Sequence, residues 1–252
     1  LNNGKTLSMI FQGWPEDNIA QLYFHNEIPD FSVCRKFYRI TDQDMLFEKK
    51  ASIGSVIEED SKNCQNNKNE TVYSFLQRGR NSAFLSTLRN IVWVSKKWNN
   101  KLLWKWLTNF APQAVFIACG GSVHPYKIAY EISVKFKIPI FLYFGDDYLL
   151  PYLTLNAFRW INWFWLRKTI NRILPLVGSA FVICEEMVEA YEKILGNICH
   201  VLMTPVNLGE YDYFRAEKGN KAKVDSEIRI AYFGGLHLNR WKSLISLVQA
   251  IK

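Results

Sequence analysis

The chain has 252 residues, of which 49% are hydrophobic, 21% charged and 15% aromatic. That composition belongs to a globular protein with room for one large or two ordinary domains, and it excludes disorder as the default state. Against 23 Asp and Glu stand 31 Lys and Arg, a formal net charge of +8, which attracts phosphates on a nucleotide or an anionic membrane surface, or only keeps a basic protein soluble.

The first residues, Asn3-Gly4-Lys5-Thr6, have loop chemistry and lead into a helix with Leu7, Ile10, Phe11 and Trp14 on one side. Residues 19–24 and 37–40 read as short strands. A polar insert rich in Asn, Lys and Glu covers 50–69 and reads as a mobile loop. Residues 82–110 read as helical, with Trp93, Trp98, Trp104 and Trp106 along them. A regular alternation follows. Strand 114–118 leads through Gly120-Gly121-Ser122 to helix 125–136, and strand 140–144 ends in Gly145-Asp146-Asp147. A long aromatic helix covers 150–174. Strand 180–183, helix 185–195 and strand 200–203 complete the run, before Pro205-Val206-Asn207. Strands alternating with helices predict an α/β fold, a Rossmann-like parallel sheet with helices on both faces.

Residues 218–226 are polar and charged and read as a linker between residues 1–217 and 227–252. Beyond it come an apolar strand at 229–233, Gly234-Gly235, a basic loop with Arg240 and Lys242, and a helix with Leu244, Ile245, Leu247, Val248 and Ile251. Strand, glycine turn, basic loop and helix are the opening unit of a second nucleotide-binding domain. One strand cannot bury a core, so the expectation is a piece of a longer protein. The first strand of the sheet would lie upstream of Leu1, and most of the second domain beyond Lys252.

Open parallel sheets bind ligands at the carboxyl ends of their strands. That rule selects Gly120, Gly121, Ser122, Gly145, Asp146, Asp147, Glu185, Glu186, Asn207, Gly234 and Gly235. Asp146 and Asp147 could hold sugar hydroxyls or act as a base, or could cap a helix. Glu185 and Glu186 open a helix, where carboxylates meet the dipole favourably. His124 could contact a ligand phosphate or hydroxyl, or be a simple surface histidine. Arg240 and Lys242 at a helix N-terminus call for an anion between them, such as a diphosphate over Gly234-Gly235. Gly4 and Lys5 could be the tail of a phosphate loop, but the upstream glycine of the Walker pattern is not in the chain, nor is the dinucleotide G-x-G-x-x-G.

The 5 cysteines are scattered, without metal-ligand spacing, and point to a reducing compartment. No metal site is expected, and no transmembrane helix, since no stretch reaches about 18 apolar residues. Residues 158–168 mix aromatic and basic side chains and contain no acid. Phe158, Arg159, Trp160, Trp163, Trp165, Arg167 and Lys168 fit contact with a membrane surface, or a helix packed on the sheet. The basic residues are dispersed and form no nucleic-acid module, so no nucleic-acid partner is expected.

Together these residues resemble a retaining glycosyltransferase of the GT-B fold, in the family-four group of bacterial sugar transferases. The resemblance rests on Asn3–Thr6, Tyr38-Arg39-Ile40-Thr41-Asp42, Tyr143-Phe144-Gly145-Asp146-Asp147, Phe181-Val182-Ile183-Cys184-Glu185-Glu186-Met187, Met203-Thr204-Pro205-Val206-Asn207 with Tyr213-Phe214, and residues 230–244. It implies transfer of a sugar from a nucleotide-diphosphate sugar to a glycan or lipid-linked acceptor in cell-surface polysaccharide synthesis. No cofactor beyond the donor substrate is implied. Gly4 and its neighbours would face the interdomain cleft, Asp146 or Asp147 would be the polar cleft residue, and Lys242 with Arg240 would hold the diphosphate. Two departures stand out: Gly234-Gly235 where the family has Gly-Arg, and the absence of the family's downstream glutamate pair. This chain by itself is therefore expected to bind donor poorly and not to turn over. A cytoplasmic location, peripheral at the inner face of the membrane, goes with the reading. The alternatives are a GT-B nucleotide-sugar epimerase and a non-catalytic sugar- or membrane-binding module.

Overall fold

The computed structural model describes residues 3–59, 82–151, 154–211, 230–232 and 240–251. They belong to two compact units, Leu1–Val206 and Asn207–Lys252. The expected linker at 218–226 lies outside the described residues.

In the first unit the chain runs through α1 (Asn3–Ile10), β1 (Ala20–Tyr23), β2 (Lys36–Arg39), α2 (Asp42–Phe47) and β3 (Ser55–Ile57). It continues through α3 (Ala83–Val94), α4 (Lys101–Phe110), β4 (Val115–Ala118), α5 (His124–Phe136) and β5 (Ile140–Phe144). It ends with α6 (Ala157–Ile173), β6 (Val177–Val182), α7 (Glu185–Leu195) and β7 (Cys199–Val201). The second unit contains a short 3-10 turn (Leu208–Tyr211) and α8 (Arg240–Ile251).

The larger sheet is parallel throughout, in the order β4-β5-β6-β7. Connections between parallel neighbours are right-handed almost without exception, so a sheet that advances in one direction receives its crossover helices on one face. There α5, α6 and α7 cover Ile140, Leu142, Phe144, Ala180 and Val182, alternate residues buried under Tyr126, Leu166, Ile170 and Tyr191. The opposite face carries Phe116, Phe141, Tyr143 and Phe181 in a run of ring contacts, and Phe11, just after α1, meets Phe116 at 5.1 Å.

Not all strands join this sheet, which corrects the expectation of a single parallel one. Parallel β1 and β2 form a second sheet with β3, which returns antiparallel. The turn into β3 needs Gly54: its φ is +83°, and a Cβ there would meet Tyr38 Cε1 at 2.5 Å. Of the loop expected over 50–69, residues 50–57 instead contain a 3-10 turn (Lys50–Ser52) and β3, and 60–69 lie outside the described residues. The two sheets share one core. Leu22 and Phe24 at the first sheet pack with Trp93, Leu103, Ile128 and Ile132 of the helices and with Val115 of β4.

Caps set the helix boundaries that periodicity missed. Lys96, at φ 50°, ends α3, and Asn100 opens α4 by accepting from Leu103 N at 3.0 Å, so 82–110 is two helices. Asn156 accepts from Phe158 N and Arg159 N, so the aromatic helix starts at Ala157, not near 150. Asn3–Thr6 opens α1 itself, although a loop was expected there. In the second unit Ile230-Ala231-Tyr232 carries no strand pairing, contrary to expectation. The apolar positions Ile245, Leu247, Val248 and Ile251 of α8 are exposed.

One buried polar pair holds three helices together. Asn90 on α3 donates to Asn162 Oδ1 on α6 at 3.0 Å and accepts from Val123 N at the start of α5 at 3.3 Å. Asn162 in turn donates to Ala83 O at 2.9 Å. Removing one member leaves the others buried and unpaired, which costs about 1–3 kcal/mol per group. Asn90→Ala is therefore expected to lower stability by roughly 3 kcal/mol in chemical denaturation. In the double-mutant cycle with Asn162→Ala the two losses should be strongly non-additive; additive losses would contradict the pairing.

Candidate functional site

All carboxyl ends of β4–β7 lie along one edge, because the strands are parallel. A single residue brings the first sheet to the same place. Arg89 on α3 donates from Nε to Asp42 Oδ1, just after β2, at 2.8 Å, and from Nη1 to Ser122 Oγ, just after β4, at 3.3 Å. Trp93, one turn further along α3, donates to the same Asp42 oxygen at 2.7 Å. Asp42 is held from behind by the capping box of α2, in which Thr41 and Asp44 bond each other's backbone. The edge thus joins Asp42, Arg89 and Ser122 to the Gly120-Gly121 turn.

Gly120 and Gly121 stand at the end of β4. The Gly120 amide donates to Tyr126 Oη at 3.0 Å, and its carbonyl accepts from the same hydroxyl at 2.8 Å. Neither glycine has a positive φ. A Cβ at Gly120 would meet nothing within 4 Å, and one at Gly121 only Tyr148 Cδ1 at 4.0 Å. Chain geometry and packing do not require glycine there, and its absence of side chain leaves the strand end open.

The two aspartates after β5 part company. Asp147 Oδ1 accepts from Leu149 N, Leu150 N and Tyr191 Oη, all between 3.1 and 3.2 Å. It therefore fixes the loop toward α6 and links it to α7. Among the described residues Asp146 accepts from the amide of Asp147 alone, at 3.0 Å, and it is exposed at the edge. Both residues are exposed, and of the pair Asp146 has the fewer hydrogen bonds of its own. Glu185 and Glu186 form the exposed first turn of α7. The Glu186 carboxyl is held below its usual range by its own backbone N–H and by Cys184, the behaviour of a helix-start acid.

His124 is not an open cleft residue. It is 2% exposed, so it is not a surface histidine either; it is stacked on Trp93 at 4.0 Å with Phe24 edge-on at 4.7 Å, and among the described residues its Nδ1 has no hydrogen-bond partner. Burial, then the positive charges of Arg89, His25 and Lys127, holds the imidazole well below its usual range, so it is neutral. Cys119, buried at the end of β4, has its thiol pushed up to about 12 by burial and is an inert small hydrophobe.

The remaining predicted residues are spread out. Gly4 and Lys5 are exposed in the first turn of α1. Asn207 belongs to the second unit, where its side chain accepts from Gly209 N at 3.0 Å. Gly234 and Gly235 lie outside the described residues. α8 begins at Arg240, where a helix start was expected, and Lys242 is exposed in its first turn with Nζ 5.7 Å from the Trp241 ring. Among the described residues no group of three His, Cys, Asp or Glu could hold a metal ion. On α6, Trp163 turns inward and donates to Leu149 O at 3.0 Å, with Arg167 beside it, while Phe158, Arg159, Trp160 and Lys168 are exposed.

Sequence reasoning missed Asp42 and Arg89 as members of the edge. Asp42 had a signal, since it follows a strand. Arg89 had none, because its partners are 47 and 33 residues away in the chain.

No family model matches this chain. No curated protein and no solved structure matches it either.

Because His124 is neutral when folded and free to protonate when unfolded, its low pKa makes stability pH-dependent. The contribution is full above the unfolded pKa of about 6.5 and is lost as pH falls below it. The melting temperature should drop on acidification through that range, and His124→Phe, which keeps a ring against Trp93, should remove most of the drop. An unchanged slope in the variant would refute the assignment.

Proposed function

We propose that the chain is the acceptor-side unit of a GT-B type glycosyltransferase, with the opening of its donor-side unit. In this reading a nucleotide-diphosphate sugar gives its sugar to a glycan or lipid-linked acceptor. The observation that supports the reading best is the convergence at Arg89. The carboxyl ends of strands from two sheets meet there, beside a glycine turn open to the outside and an exposed carboxylate. Such an edge is where open α/β sheets bind ligands.

The roles follow from the chemistry of each group. Asp146 accepts hydroxyl protons of a sugar, as a carboxylate with few bonds of its own. Asp147 keeps the loop beneath it in shape. Gly120 and Gly121 let the sugar approach the backbone. Arg89, already paired with Asp42, positions the β2 and β4 loops and does not supply a free cation. On the second unit, taken by itself, Lys242 is exposed in the first turn of α8, where the helix N-terminus favours an anion such as a diphosphate.

Titration calorimetry with uridine diphosphate and uridine diphosphate glucose tests the reading. Weak but saturable binding is expected, weakened a further tenfold or so by Lys242→Ala, since a charge-assisted hydrogen bond to phosphate contributes about 1.5–3 kcal/mol. Unchanged affinity in the variant, or no saturable binding of these compounds or their guanosine counterparts, overturns it.

A further inference from the structure

Two adjacent helices of the first unit turn apolar side chains outward. On α3, Phe84, Leu88 and Ile91 follow helical spacing, and Phe84 and Ile91 are 48% and 51% exposed. On α6 the inward stripe is Asn162, Leu166, Ile170 and Ile173. Away from it stand Phe158, Ile161 and Phe164, the last 58% exposed. The two outward rows are continuous, because the Phe84 and Phe158 rings meet edge-on at 5.1 Å. Beneath them the Asn90–Asn162 pair holds the helices in place. A continuous apolar surface of this kind on a folded unit marks a docking site.

The charge on this surface selects the occupant. Neither α3 nor α6 contains an Asp or Glu, while α6 carries Arg159, Arg167, Lys168 and Arg172. Arg159 and Lys168 are exposed, and among the described residues neither is paired with a carboxylate. Two copies of the chain pressed face to face would bring like charges together. An anionic lipid surface offers the opposite charge together with an apolar layer. Trp160 sits at the rim with its Nε1 bonded to Thr154 O at 3.0 Å and its ring 42% exposed, the placement of an interfacial tryptophan. Among the described residues no helix is long and apolar enough to cross a membrane, so α3 and α6 would lie in its plane.

We propose that the outward face of α3 and α6 docks the protein on an anionic phospholipid surface, with Phe84, Leu88, Ile91, Phe158, Ile161 and Phe164 in the acyl boundary and Arg159 and Lys168 among the headgroups. The face is separate from the carboxyl edge described above, and the proposal stands whatever ligand that edge takes.

Flotation of the intact chain with vesicles tests it. Vesicles of equal parts phosphatidylcholine and phosphatidylglycerol are expected to carry the protein up, and phosphatidylcholine alone far less. The double variant Ile161→Glu, Phe164→Glu should lose binding at least tenfold while keeping the wild-type circular dichroism and melting temperature, because both side chains are exposed. Arg159→Gln and Lys168→Gln should each weaken binding about fivefold, and added salt should weaken it further. Failure to float with either vesicle, or equal flotation of the glutamate variant, overturns the proposal. So does self-association in ultracentrifugation that the same variant abolishes, without vesicle binding, because the face then joins copies of the chain.

Discussion

The arrangement depends on one turn of α3. Arg89 and Asn90 are neighbours in sequence and point in different directions. Arg89 reaches the strand ends of both sheets, through Asp42 and Ser122. Asn90 reaches α6 and the start of α5. All of these polar atoms are buried or half-buried, so each must find its partner or lose stability. With both residues satisfied, the two sheets, three helices and the open strand ends have one relative position. Hydrophobic contact alone would allow them to slide, since apolar packing has no direction.

That constraint explains why the candidate site and the proposed lipid-binding face can coexist on one helix. The buried side of α3 carries Asn90 and Trp93, its flank carries Arg89, and its outer side carries Phe84, Leu88 and Ile91. A helix with apolar residues on its solvent side gains nothing for folding from them. Their presence fits a partner that covers them, and the lack of acids on both helices fits an anionic one.

Much of the second half of the first unit was legible in the sequence. Helices 125–136 and 185–195 and strand 140–144 came within a residue or two, because alternation, glycine turns and helical spacing agree there. What failed was non-local or conformational. The split of 82–110 depends on a left-handed Lys96 and on Asn100, whose side chain also reaches back to Ile53 O. The separate first sheet depends on Gly54 over the Tyr38 ring. Asp146 and Asp147 are the same residue type side by side, and the Leu149 and Leu150 amides with the Tyr191 hydroxyl, all bonded to Asp147, tell them apart. His124 looked like a site residue because it precedes Pro125 at a helix start, and its burial comes from Phe24, 100 positions away. On α6, periodicity alone did not reveal that Trp163 turns inward while Phe164 turns out.

The account stands or falls on whether the carboxyl edge of the first unit receives a ligand. The direct measurement is a backbone amide NMR titration of the protein with uridine diphosphate glucose. The account predicts shifts gathered at Gly121, Ser122, Asp146 and Glu185, with the outward residues of α3 and α6 unmoved. Shifts scattered over the surface, or none at that edge, would contradict it.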